Sequence, residues 1–369
     1  MRGCRLSLLA LSCVLAVPGW SQQTAGGTTA YSYDLNGRRV EDARYTVRDA
    51  PTGSQRKELT RTINSRTVPL ESSEDKVISQ DATSKVVERI VRRYDQNGNP
   101  GPPERIRIEE RTNADGSKTL TTTSYRGNLS GGSEVAGRTR THIRKIGNVE
   151  TKVHEVEQAT LNGGLQMVER TQSEERFSGD NSELKETVYR QGVNGRFEPV
   201  SSQVSQKTKI GNVKTVDATV FEADLNGRMS LAERTIGKKT ERADGSAVEE
   251  VEVYSTRFAT AAGDVNARQP RLQQQIVRET VPGPDNTTVE TTSVRARLVN
   301  DPSRFGPYEK IVQTTKVTPT GDSRQTTAQQ STVQRRDLNG NLIVQAATET
   351  AITGPAPPPP APPPAKPQP

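Results

Sequence analysis

The 369-residue chain sets 51 Lys and Arg against 44 Asp and Glu, for a net charge of +7, and is only 30% hydrophobic and 4% aromatic. The length would allow two globular domains, but the apolar fraction excludes two ordinary cores and requires a fold that buries little per residue. Acidic and basic residues interleave throughout, and five Phe and eight Tyr are too few for stacking platforms, so the basic balance does not point to nucleic acid.

The chain begins with an export pattern over residues 1–21. Arg2 and Arg5 precede a short apolar run from Leu6 to Val17, and Gly19-Trp20-Ser21 offers a small-x-small site, so cleavage is expected near Ser21. Lipidation at Cys13, after Ala10-Leu11-Ser12, is the alternative processing. Cleavage near Ser21 removes Cys4, Cys13 and Trp20, leaving neither disulfide nor thiol chemistry in the exported chain.

Residues 22–353 are read as a β-hairpin region. Asp34-Leu35-Asn36-Gly37, Asp95-Gln96-Asn97-Gly98, Asp224-Leu225-Asn226-Gly227 and Asp337-Leu338-Asn339-Gly340 are near copies of one turn. Asn-Gly suits a two-residue type I′ hairpin turn, in which both central residues take positive φ. Asn162, Asn194 and Asn226 are spaced 32 residues apart, and so are Gly147, Gly179 and Gly211 of a second turn series lying between them. The runs between turns alternate, as in Val213–Phe221, where Val216, Ala218 and Val220 share a face. Ser84–Val91 also fits an amphipathic helix, but Thr and Val are poor helix formers and Asn-Gly turns favour strand hairpins. The expected fold is all-β: a long antiparallel meander of about twenty strands built from 32-residue two-strand repeats, open or folded over into layers, with two exposed edges. Residues 354–369 form a Pro/Ala-rich tail, expected to be disordered and extended.

Candidate chemistry is sparse. His142 and His154 flank the Gly147-Asn148 turn and could meet across a hairpin, yet no third ligand is placed by a motif. Asp95-Gln96-Asn97-Gly98 and Asp337-Leu338-Asn339-Gly340 open like calcium loops, but their twelfth residues are Ile106 and Thr348 rather than Glu. Glu109-Glu110, Glu174-Glu175 and Glu249-Glu250 are sequence neighbours, which a strand turns to opposite faces. No triad, HExxH or P-loop pattern occurs, so no catalytic, cofactor-binding or metal residue is assigned and no cofactor is expected.

Tyr31-Ser32-Tyr33-Asp34-Leu35-Asn36-Gly37-Arg38 resembles the YD (RHS-type) repeat, and Tyr94-Asp95-Gln96-Asn97-Gly98 is similar. The resemblance covers a few turns; it implies β-structure of the kind that builds large shells around secreted toxins.

These readings lead to an exported, non-enzymatic β-repeat protein, secreted, periplasmic or at the cell surface. It would act as a structural element, spacer or surface-interaction protein, meeting a protein or surface partner on its strand faces or sheet edges. It is not expected to be an integral membrane protein after signal cleavage. An outer-membrane β-barrel and a carbohydrate-active enzyme on an elongated β scaffold are the alternatives.

Overall fold

The computed structural model describes residues 25–355, apart from 34–37, 50–53, 64–65, 128–131, 161, 193, 225, 257–268, 299–300, 321–323 and 338. The export segment with Cys13, the Asp34–Gly37 turn and the proline-rich stretch from 356 onward lie outside the described residues.

Among the described residues, twenty strands follow one another. They begin with β1 (Ala25–Tyr33), β2 (Arg39–Asp49), β3 (Gln55–Ile63), β4 (Arg66–Gln80) and β5 (Ser84–Arg93). Next come β6 (Glu104–Thr112), β7 (Lys118–Gly127), β8 (Ser133–Ile146), β9 (Val149–Ala159) and β10 (Leu165–Ser178). The third group is β11 (Asn181–Gln191), β12 (Phe197–Ile210), β13 (Val213–Ala223), β14 (Met229–Glu241) and β15 (Ala247–Ser255). The last are β16 (Arg271–Pro282), β17 (Thr287–Leu298), β18 (Asp301–Pro319), β19 (Arg324–Arg336) and β20 (Leu342–Pro355). Each pairs antiparallel with its sequence neighbours, and β1 also pairs antiparallel with β20. Thr28 on β1 therefore has Tyr45 on β2 as one partner and Thr350 on β20 as the other. The sheet closes into a barrel without an edge. This corrects the open or layered meander: alternation and turn spacing define strands and their order, but closure is set by the pairing of the two ends of the chain, which local pattern does not encode.

One face of the sheet is more enclosed than the other. Val47, Asp75, Val87, Val91, Ser205, Val294 and Thr350 are buried, and tracing their cross-strand partners puts them all on the same face. A closed sheet crowds side chains on its concave side. The hand of the sheet agrees. Cross-strand partners lead from Thr28 in mid-β1 through Tyr45, Leu59 and Glu71 to Arg93, the last residue of β5, so the pairing climbs along the odd-numbered strands. On this face the odd strands turn their backbone groups toward the following strand, as where Gly101 N donates to Arg93 O at 2.7 Å. With L-residues and the fixed hand of strand twist, that combination places the enclosed face inside.

The recurring turn differs in type from the expectation. Gly98 has φ +84°, and its N–H donates to Asp95 O at 3.0 Å while Asp95 N donates to Asn99 O at 3.0 Å. That is a three-residue loop with the left-handed residue at Gly alone. Among the described residues, only Asp285 and Asn286 take positive φ without being Gly. The Gly147-Asn148 and Gly211-Asn212 hairpins place Gly at the first of two loop positions with φ +58° and +59°, the type II′ pattern.

Near the Asn-Gly end, the register slips by one residue in most odd-to-even hairpins, including β7–β8, β9–β10, β11–β12 and β13–β14. The extra residues Ala136, Val168, Val200 and Ala232 keep the 32-residue spacing. The period thus belongs to bulged hairpins of one closed barrel rather than to independent repeat modules, and the bulges bend and twist the strands at one rim.

An added Cβ at Gly227 would meet nothing within 4 Å, but φ there is +76°. Gly227→Ala is expected to lower the stability of the folded barrel by about 1 kcal/mol through backbone strain alone. Denaturant unfolding of this variant beside Gly127→Ala, which has open space and no positive φ, checks this.

Candidate functional site

The inner wall is the concave surface that the fold gathers from every strand. Near the strand middles it carries mostly uncharged residues, among them Thr28, Thr122, Thr139, Thr171, Thr292 and Thr348. Inward charges pair with one another toward the two ends. Lys207 reaches Glu175 at 3.3 Å and Arg278 reaches Glu249 at 2.8 Å, while at the opposite end Arg190 meets Glu169 at 2.8 Å and Arg335 meets Glu309 at 2.6 Å.

The waist holds an enclosed charged cluster. Asp75 on β4 faces Arg89 on β5, and Lys57 on β3 approaches diagonally. Arg89 donates through Nε to Asp75 Oδ1 at 2.6 Å and through Nη2 to Oδ2 at 2.8 Å; Lys57 Nζ donates to Oδ2 at 3.0 Å. The Asp75 side chain is 8% exposed, against 23% for Lys57 and 28% for Arg89. Buried Val47 stands opposite Lys57, and buried Val87 and Val91 flank Arg89 on its own strand. This low-dielectric frame strengthens the two-pronged pair. Glu186, the mid-strand residue of β11, also faces inward, opposite Ser173 and Gln203.

The histidines do not meet. Thr141, not His142, is the partner of His154, so the two rings point to opposite faces. His142 Nδ1 lies 3.2 Å from Thr119 Oγ1 outside, and His154 Nδ1 lies 2.8 Å from Thr141 Oγ1 inside. Glu174 and Glu175 part in the same way: Glu174 bonds Arg176, whereas Glu175 accepts from Ser182 and Lys207. Among the described residues, no three of His, Cys, Asp or Glu are arranged to hold a metal ion.

The turn aspartates are occupied by their own loops. Asp95 Oδ1 accepts from the N–H groups of Asn97 and Asn99 at 2.9 and 2.8 Å, and Asp224 Oδ1 accepts from those of Asn226 and Arg228 at 2.8 and 2.9 Å. Asp81 accepts from both backbone and hydroxyl of Thr83 and Ser84, at 2.7 to 3.0 Å. The Ser84 hydroxyl and these amides lower the Asp81 carboxyl from 3.8 to about 2. Asp95 is lowered chiefly by the Asn99 side-chain amide, and Asp115 and Asp244 chiefly by the hydroxyls of Ser117 and Ser246.

The outer wall carries ion pairs at mid-height: Arg138–Glu157 at 2.5 Å, Arg170–Glu155 at 3.0 Å, Arg234–Asp217 at 2.7 Å, and Arg105–Glu88. Toward the Asn-Gly rim it carries aromatics instead. Tyr31, Tyr125, Tyr189, Phe221 and Tyr254 each sit beside a register slip and point outward. The Arg39 guanidinium lies 3.5 Å from the Tyr31 ring centre.

No protein-family model matches the chain, and no curated relative matches it. Among solved structures, it is similar to a mutant of Rh. blastica porin at 8% identity and TM-score 0.44, covering 89% of this chain and 98% of the porin. It is also similar to Pseudomonas aeruginosa OccK5 (OpdH) at 10% identity and TM-score 0.47, covering 90% and 97%, and to Pseudomonas aeruginosa OpdK with vanillate at 9% and 0.45, covering 90% and 97%. The closure itself rests on this chain's own β1–β20 pairing. That closure overturns the reading of a secreted structural repeat that is not an integral membrane protein. With no free edge there is no end-to-end spacer array, and the outer-membrane β-barrel alternative is better supported.

The Lys57–Asp75–Arg89 set escaped the sequence reading. Its three members fall on three successive strands at 14- and 18-residue separations, and only the register reveals that they share a face.

Asp75→Asn removes the acid from between two cations. It should cost about 1–3 kcal/mol of stability, as loss of one partner from an enclosed pair does, read from denaturant unfolding beside Asp217→Asn on the exposed outer wall. The turn aspartates, with folded values below 3.8, contribute stability that is complete above the unfolded value and lost as pH falls through the folded one. Thermal stability should therefore decline between about pH 4 and pH 2, and Asp81→Asn should flatten that decline.

Proposed function

We propose that this chain is an outer-membrane-type β-barrel that works as a non-enzymatic channel. The observation that carries the reading is the β1–β20 pairing, which satisfies every strand of a twenty-stranded sheet and leaves no edge. A spanning β-structure needs that, since hydrocarbon offers no partner to an unpaired backbone. The even strand count, the nearest-neighbour antiparallel order, the tight turns and the export pattern support it. So does the outward aromatic series at one rim, where amphipathic rings suit a headgroup boundary. A barrel of this strand number leaves an aqueous lumen. The outer waist departs from a continuous apolar band, and its charges include mutual pairs such as Arg138–Glu157 and Arg234–Asp217.

Fractionation of an expressing Gram-negative host tests the reading. The full chain should sediment with the outer membrane, resist extraction by urea and carbonate, and be released by detergent. Recovery in the soluble periplasmic fraction would overturn it.

A further inference from the structure

From the inner wall we infer that the lumen is a near-neutral, hydroxyl-lined passage for uncharged polar solutes, and that Asp75 is the residue that keeps it so. The inference deepens the channel reading and rests on it. Two observations carry it. First, the inward charges toward both ends neutralise one another in pairs, Lys207 with Glu175 and Arg278 with Glu249 at one end, Arg190 with Glu169 and Arg335 with Glu309 at the other. Their fields fall off within a Debye length of about 8 Å in physiological salt. Second, the waist presents threonine hydroxyls from β1, β7, β8, β10, β17 and β20, donors and acceptors that exchange readily with the hydroxyls of a neutral solute.

Near the waist, the inward charges include Lys57, Arg89 and Lys152 against Asp75, Glu186 and Glu233. Asp75 offsets Arg89 by a two-pronged bond and also holds Lys57. Without Asp75, two cations would face the lumen on neighbouring walls, and their attraction would concentrate anions there. Asp75 thus determines specificity by cancelling charge in place, without needing to touch the solute.

The test uses the full chain in proteoliposomes and planar bilayers. Swelling rates with glucose, gluconate and glucosamine, solutes of similar size, should agree within about twofold for the wild type, and the reversal potential in a KCl gradient should lie near zero. Asp75→Asn should make the pore several-fold anion-selective and speed gluconate over glucosamine. Glu186→Gln, which leaves the Asp75 cluster intact, should shift selectivity in the same direction, so the inference is decided even if Asp75→Asn does not assemble. A wild-type pore strongly selective for either ion sign, or unchanged selectivity in every variant that assembles, Glu186→Gln alone included, would overturn it. A chain that inserts but passes none of the three solutes and no current would instead overturn the channel reading.

Discussion

The hydrogen-bonded seam between β1 and β20 is the constraint on which the rest depends. Twenty strands in an open sheet would leave two rows of unpaired backbone groups and one weakly apolar face uncovered. Joining the ends removes both rows. It also creates an inside, and only then do the two faces differ in enclosure. The seam is made of small residues: Gly26, Gly27, Ala30, Ala346, Ala347 and Ala351 all pair within it. Side-chain ties reinforce it where Thr28 meets Thr350 at 3.0 Å and Tyr31 and Arg39 both reach Glu349, at 3.1 and 2.5 Å. Glu349 therefore joins β20 to β1 and β2 together.

The barrel solves the composition problem posed by the chain. So few apolar side chains cannot fill a solid core, and here they are not asked to. Strand backbones satisfy one another, valines such as Val47, Val87 and Val91 shield local clusters, and polar residues line the lumen. Many of the charged residues stand in cross-strand pairs, such as Arg138–Glu157 and Arg190–Glu169, the sheet counterpart of helix surface pairs.

Much of this was legible in the sequence. Alternation in stretches such as Val213–Phe221 and the Asn-Gly spacing give strand identity, order and a count near twenty, because those signals are local. The turn type was misread because Asn-Gly also suits a three-residue loop in which Gly98 alone takes the left-handed conformation. The turn aspartates bond their own loops, as at Asp224. Closure was not legible, since the β1–β20 contact joins residues more than three hundred positions apart with no motif at either end. The Asp75 cluster was hidden for a related reason. A charged residue on an alternating strand reads as solvated until register and the inward face are known, and a one-residue slip would send Lys57 or Arg89 to the opposite wall.

The most direct measurement is a cross-link across the seam. Thr28 and Thr350 are directly paired, with their hydroxyls 3.0 Å apart. In a background freed of Cys4 and Cys13, the double variant Thr28→Cys/Thr350→Cys should oxidise to an intramolecular disulfide. This would shift the mobility of the denatured monomer, while either single variant would not. Dithiols that persist under oxidant in the folded protein, or disulfides that form only between molecules, would contradict the closed barrel.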